Sequence, residues 1–350
     1  MPYRFKINEP IEKGVRRIAR EQLDVALTEL GGEHVGPKNV HECRKSLKRL
    51  RALMRLVAGS VGDKKARRRI KSLGEIAQLL SARRDQTVML GTIEKLSRDV
   101  AGAAEVFAPL KAGLTGQKAA DPETLDPKIA ERARLLLLQE SKKFARMELG
   151  KRGFAALAGG LEASYRQGRK ASSYAYEEPT DENFHDLRKA VQWHWRQMSL
   201  LAKAWPEEFA VRVDAARELS QLLGDDHDLA ILIAAASKSD TMTAEQKEGA
   251  VAICRHQQEI LRATAEYRAA RLFAEKPEAF IGRVAVYWRC SRSLDPRLEV
   301  SPVAGQVAAA DHDLSAVADA TLAAKDKRPV AAKPRLAAKS ETSVPSQRRA

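Results

Sequence analysis

Between residues 41 and 57, Cys43, Leu47, Leu50, Leu53, Met54 and Val57 fall at a spacing that an α-helix can bury along one side. At about 100° per residue, Arg44, Lys45, Lys48, Arg49, Arg51 and Arg55 then gather within about 80° of His41 on the opposite side. The cationic stripe runs roughly 21 Å, at about 1.5 Å per residue. Like charges one helical turn apart repel by a few tenths of a kcal/mol, and one acid, Glu42, stands at the stripe's edge. An ordinary solvated basic face is one reading. A polyanionic partner is the more economical one.

Composition points the same way. The formal net charge of +15 over 350 residues argues for nucleic acid, an anionic membrane surface or a phosphate polymer as partner. At 44% hydrophobic, the chain can bury one large core or two small ones. Cys43, Cys254 and Cys290 are far apart and make no C-x-x-C pair, so neither a disulfide framework nor a zinc cluster is signalled. The start, M-P-Y-R-F-K-I-N-E-P, lacks the apolar stretch of a secretory signal. No apolar run approaches the roughly 18 residues of a membrane span. A soluble protein of a reducing compartment, cytoplasmic and without membrane insertion, is the expectation.

Nearly every segment reads as helix, and no period-2 run of β-branched residues appears, so the fold class is all-α. Pro10 opens a first helix that Gly31 and Gly32 close. The stripe helix stops near Gly59, and a third begins around Asp63 with six cations and no acid over 64–71, ending near Leu80. A fourth spans about 84–100, and the Gly- and Pro-punctuated residues 102–127 read as a connector. Helices follow at 128–149, basic at Lys142, Lys143 and Arg146, and at about 154–176, with Arg166, Arg169 and Lys170 late in it. Beyond come 184–205, 207–223, 226–236 and 243–273. From about residue 291 the Ala-, Lys- and Pro-rich composition reads as a disordered basic tail.

The segment at 184–205 repeats the stripe. His41, Arg44 and Lys45 have counterparts in His185, Arg188 and Lys189, at a spacing of 144 residues. Leu79, Leu80 and Asp85 are echoed by Leu222, Leu223 and Asp228 at an offset of 143. This is the pattern of an internal duplication, with repeats over about 10–100 and 180–273 and a connecting region between them. The second face is less cationic: Lys48, Arg49 and Arg51 become Gln192, Trp193 and Trp195, while His185, Arg188, Lys189 and Arg196 remain.

These residues carry a family resemblance. The pattern H-x-x-R-x-x-x-K-R-x-R from His41, F-H-D-L-R-K from Phe184, L-G-x-x-x-D at Leu223–Asp228, and the Arg84-Asp85 pair resemble the conserved histidine α-helical domain, CHAD. The likeness spans roughly residues 8–288 and stops at the tail. It implies two pseudo-symmetric four-helix bundles whose basic, histidine-containing groove or pore binds inorganic polyphosphate, as a non-catalytic module without cofactor. Family members often carry a fused CYTH domain that processes triphosphates; with so short a segment before the helical domain, a stand-alone member is the expectation. Carried over by position, the implied ligands are His41, Arg44, Lys48, Arg49, Arg51, His185, Arg188 and Lys189. The stripe itself adds Lys45, Arg55 and Arg196, and secondary candidates are Arg68, Lys71, Arg84, Lys142, Lys143, Arg146, Arg166 and Arg169. The two tryptophans are expected either to weaken the second copy's share of binding or to pack between the bundles.

Protonation of His41 and His185 below about pH 6.5 is expected to raise affinity, and counterion release to make it fall steeply with salt. Other readings stay open: nucleic-acid or generic polyanion binding through the basic surface and tail, and, less well supported, histidine phosphotransfer. Phosphotransfer proteins resemble H-x-x-K-G, whereas R-K-S and R-K-A follow the histidines here, without the glycine. The run Asp225-Asp226-His227-Asp228 resembles a metal cluster but reads more simply as a helix start. No metal site is expected. His194 falls on the apolar side of its helix and is expected to pack, while His34 and His256 carry no pattern.

Overall fold

The computed structural model describes residues 3–80, 84–118 and 124–293, and the regular structure among them is helical throughout. In chain order the helices are α1 (Ile11–Glu29), α2 (Pro37–Leu56), the single turn α3 (Ala58–Val61), α4 (Asp63–Leu79), α5 (Arg84–Asp99) and α6 (Ala103–Lys118). They continue as α7 (Pro127–Ala145), α8 (Ala155–Glu177), α9 (Asp181–Leu201), α10 (Pro206–Lys238), α11 (Ala244–Leu272) and α12 (Pro277–Ser293). The all-α expectation holds. Residues 294–350, where the tail was expected, lie outside the described residues.

Starts are set by local chemistry. The Thr180 hydroxyl accepts from the Asn183 amide at the head of α9, and Thr243 and Gln246 form a reciprocal capping box at α11. Pro37 and Pro127 sit in the first turns of α2 and α7, where a missing N–H costs nothing. The phase of α2 is the one its apolar spacing dictates: Cys43, Leu47, Leu50, Leu53 and Met54 are fully buried.

Helix α1 packs on α2 and α7, and α4 packs on the same pair, closing one ring of four. A second group follows the chain, α8 on α9, α9 on α10 and α10 on α11, with α11 also touching α8. The groups join where α2 meets α8 and α9. At that junction Gly160 is indispensable, because a Cβ there would lie 2.1 Å from the Leu56 carbonyl oxygen. Helix α8 thus presses backbone to backbone against the C-terminal end of α2.

Three elements differ from the sequence expectation. Residues 103–118, expected as connector, form α6 with Pro109 inside it. Burial of Ala103, Phe107 and Leu110 in a second, smaller core outweighs the Pro and Gly punctuation. The expected helices at 207–223 and 226–236 are one continuous α10. Its first half buries Phe209, Ala216 and Leu219 in the main core, and its second half buries Leu229, Leu232 and Ala236 in the smaller one.

The acidic run therefore lies mid-helix rather than at a start. It is tolerated because its carboxylates diverge to different neighbours: Asp225 to Lys95 of α5 at 2.8 Å and the buried Asp226 to Arg262 of α11 at 2.6 Å. Asp228 stands 3.5 Å from His227 Nδ1. Arg262 also reaches Asp181 at 2.6 Å, tying the head of α9 into the same network. The third difference is α12, which places Phe280, Val284 and Trp288 in the main core.

Candidate functional site

The cations of α2 divide by their position along the helix. At its N-terminal end His41 is exposed, and Lys45 stands 3.5 Å from Glu42. Arg44 Nη1 donates to the carbonyls of Ala77 and Leu80, at 3.4 and 3.3 Å, and so closes the C-terminal end of α4, where carbonyls lack helical partners. Lys48 is half-buried. Farther along, Arg49 donates to Gln22 Oε1 at 3.4 Å and lies over the Tyr3 ring, whose hydroxyl donates back to the Arg49 carbonyl.

The C-terminal half of α2 meets α9 through aromatic rings. The Arg55 guanidinium sits 3.6 Å from the centroid of Trp193. Arg196 lies 4.2 Å over Trp195, and Arg217 of α10 lies 5.4 Å over the same ring. Arg196 is buried and donates one bond to the Gln192 carbonyl at 2.8 Å. Arg51, Arg55 and Arg196 form no ion pair among the described residues, and the Nε atoms of Arg51 and Arg55 are buried without a hydrogen-bond partner there.

Burial lowers the proton affinity of all three arginines. Arg55 comes down to about 10 through burial and the nearby Arg51. Arg196 comes down to about 10 through burial, with Arg49, Arg217 and Arg51 pushing the same way against Tyr3. All remain charged at pH 7. The ring contacts at Trp193 and Trp195 and the mutual repulsion of the neighbouring arginines mark Arg49, Arg51, Arg55, Arg196 and Arg217 as one seam, in which Arg49 bonds Gln22 and Arg217 stands 3.8 Å from Asp214. Trp193 and Trp195 are part of it, as rings against which Arg55, Arg196 and Arg217 lie.

The first turns of α9 are built differently. His185 stacks on His227 of α10, centroids 4.5 Å apart and planes at 24°. Arg188 lies against Gly224, where a Cβ would come within 3.4 Å of its Nη2. Lys189 pairs with Asp186 at 2.8 Å. Burial, then Lys189, His227 and Arg188, push His185 down to about 4, with Asp186 opposing. Its ring is therefore neutral at pH 7, and the expected gain of charge near pH 6.5 does not apply to it.

The secondary candidates scatter. Arg169 Nη1 donates to the carbonyls of Phe273 at 2.6 Å, Ala274 at 3.1 Å and Glu275, so it seals the end of α11. Arg166 pairs with Glu162 and Glu278. Arg68, Lys71, Lys142, Lys143 and Arg146 are exposed on α4 and α7, with Lys71 3.9 Å from Glu75 and Lys143 3.0 Å from Glu140. The Arg84 side chain lies outside the described residues. His194 is buried among Tyr165, Phe273 and Phe280, as its apolar face predicts.

Two members of the seam were missed from sequence. Arg217 corresponds at the 143 offset to Gly74, so the repeat gives no signal for it. Tyr3 precedes the first helix and belongs to no periodic pattern.

An all-helical domain carrying an arginine seam between two of its helices is the class of protein that these features define. The CHAD domain family model matches residues 17–237, more than half of the chain, and the chain belongs to the CHAD family. Among solved structures it is similar to PptA from Streptomyces chartreusis, at 15% identity and a TM-score of 0.47, over 73% of this chain and 96% of that one. At that similarity no argument rests on the likeness. No curated protein matches the chain. No helix among the described residues is long and apolar enough to cross a membrane.

Proposed function

We propose that this chain binds inorganic polyphosphate, without turning it over, along the seam between α2 and α9. The observation that carries the reading is the set of half-buried Arg51 and Arg55 and buried Arg196, which form no ion pair among the described residues, with the Nε atoms of Arg51 and Arg55 buried and unpartnered there. Leaving charges desolvated and unpaired is unfavourable unless a counter-charge arrives. A polyphosphate chain supplies one at each phosphate and offers no base edges to be read, which suits planar guanidinium forks set on rigid helices. Membership of the CHAD family supports the same ligand. The seam offers donors and aromatic faces, Arg49, Arg51, Arg55, Arg196 and Arg217 with Trp193 and Trp195, none of which is a general base. Release of free phosphate is accordingly not expected.

The likeness of the stripe at His41 to that at His185 is part of this reading. We take the two helices as copies of one ancestral unit, the first of which keeps the larger share of cations.

The test is a titration with long-chain polyphosphate, followed by tryptophan fluorescence, of the wild type beside Arg51→Gln. Arg51 is preferred to Arg44, whose loss would also open the end of α4. An about tenfold weaker Kd, equivalent to about 1.4 kcal/mol, with unchanged helicity is expected. Equal affinity in the two proteins would remove the seam from the binding site. Nucleic acid is the rival partner, and competition separates them: polyphosphate should displace labelled DNA far more readily than DNA displaces polyphosphate. Equal displacement would reduce the reading to general anion binding.

A further inference from the structure

The cation run at 64–71 and the cations late in α7 lie about 75 residues apart in sequence, yet α4 packs on α7 and Glu140 ties Arg69 to Lys143. Glu140 of α7 is 1% exposed; Arg69 Nη1 bonds both its oxygens at 2.9 Å, and Ser72 Oγ and Lys143 Nζ each reach it at 3.0 Å. The carboxylate between the two runs is thus turned inward, where it joins them instead of neutralising them from outside. What faces solvent is Lys64, Lys65, Arg67 and Arg68 from α4, with Lys142 and Arg146 from α7. Asp63, Glu75 and Glu148 are the acids at its margins.

This surface begins where the seam ends. Arg55 closes the cationic face of α2, and residues 56–62, L-V-A-G-S-V-G, carry no charge before α4 starts. Onto that short passage folds the loop after α7: the Gly150 amide donates to the Ser60 carbonyl at 2.8 Å, and the Lys151 amide to Ser60 Oγ at 3.0 Å. The backbone that carries exposed Lys151 and Arg152 is thereby held against α3, the turn that joins α2 to α4 in the chain. No exposed aromatic ring lies in either run, so the surface has charge for phosphates and nothing on which to stack bases.

We propose that α4, the end of α7 and the 150–152 loop form a second cationic surface that holds the continuation of a polyphosphate chain too long for the seam. This rests on the polyphosphate reading above and adds a length preference to it. A chain anchored in the seam presents its remaining phosphates to this surface at high effective concentration, so weak contacts to exposed lysines multiply into affinity. A short oligophosphate engages the seam alone.

The test compares a short oligophosphate with long-chain polyphosphate on the full chain, in wild type and in the quadruple variant Lys64→Gln/Lys65→Gln/Arg67→Gln/Arg68→Gln. These exposed residues leave the Arg69–Glu140 contact in place, and circular dichroism checks that the helices survive. The expected result is an about tenfold loss of affinity for the long chain with the short one unchanged. Unchanged binding of both lengths, or an equal loss for both, overturns the second surface while leaving the seam standing. Wild type that binds neither length overturns the polyphosphate reading, and this inference with it. A duplex-DNA arm completes the set: loss of DNA binding in the variant with polyphosphate binding intact would assign the surface to nucleic acid and overturn the proposal.

Discussion

Arg55 lying on Trp193 and Arg196 lying on Trp195 are held by rings, and Arg196 also by the Gln192 carbonyl at 2.8 Å, with no carboxylate paired to either among the described residues. The arrangement carries a signature in stability. Replacing Arg51 by Gln removes a partly desolvated charge, so the folded state should gain about 1 kcal/mol while polyphosphate binding weakens. A structural arginine would lose stability on the same change. His194 makes a separate case. Both its ring nitrogens are buried without a hydrogen-bond partner among the described residues, and burial, with Arg212 adding to it, holds its pKa well below the ordinary value.

Burial lowers His185 in the same direction. For both groups the unfolded chain takes up a proton first, at about pH 6.5. Their penalty is absent above that pH and grows as pH falls towards the folded values. His194→Leu should raise the Tm at pH 7, by the equivalent of about 1 kcal/mol, and reduce the drop in Tm between pH 7 and 5. An unaltered acid slope would show that His194 does not titrate on unfolding.

At the scale of elements, periodicity was a reliable guide where a helix buries one stripe against one core. The phase of α2 and the packed position of His194 follow from spacing alone. It failed where burial is divided. Helix α10 serves the main core with Phe209–Leu223 and the smaller core with Leu229–Ala236, so its apolar positions do not keep to one face and its acidic middle looks like a boundary. Helix α6 was hidden by Pro109 and its glycines, because the core that holds Phe107 is completed by Leu229 to Cys254, more than 100 positions later. The close approach of α8 to the end of α2 was equally invisible, since nothing local marks Gly160 among its neighbouring glycines. Gly160→Ala should destabilise by about 3 kcal/mol or more, seen as a markedly lower Tm. A Tm within a degree or two of wild type would mean that α8 can step back from Leu56 without loss.

For the whole molecule, the site was half legible. The cationic helix at 41–55 and its echo at 185 pointed to a polyanion, because one-signed faces need an external counter-charge. The actual meeting of α2 and α9 needed the fold: Arg55 finds Trp193, and Arg217 arrives from α10, outside any basic stripe read from the sequence.

The long helices α10 and α11 run through both cores, while α5 and α6 belong to the smaller one. Dependence between the cores is therefore one-way. The α5–α6 pair can detach and leave the main core intact, but melting the main core removes the scaffold on which the pair is built. Slow exchange of amide hydrogens in the first half of α10 and faster exchange in α5 and α6 is the expected record of that hierarchy. The molecule would then unfold in an order written by its two shared struts, with the α5–α6 side opening first, where Lys95 reaches Asp225 two residues before His227.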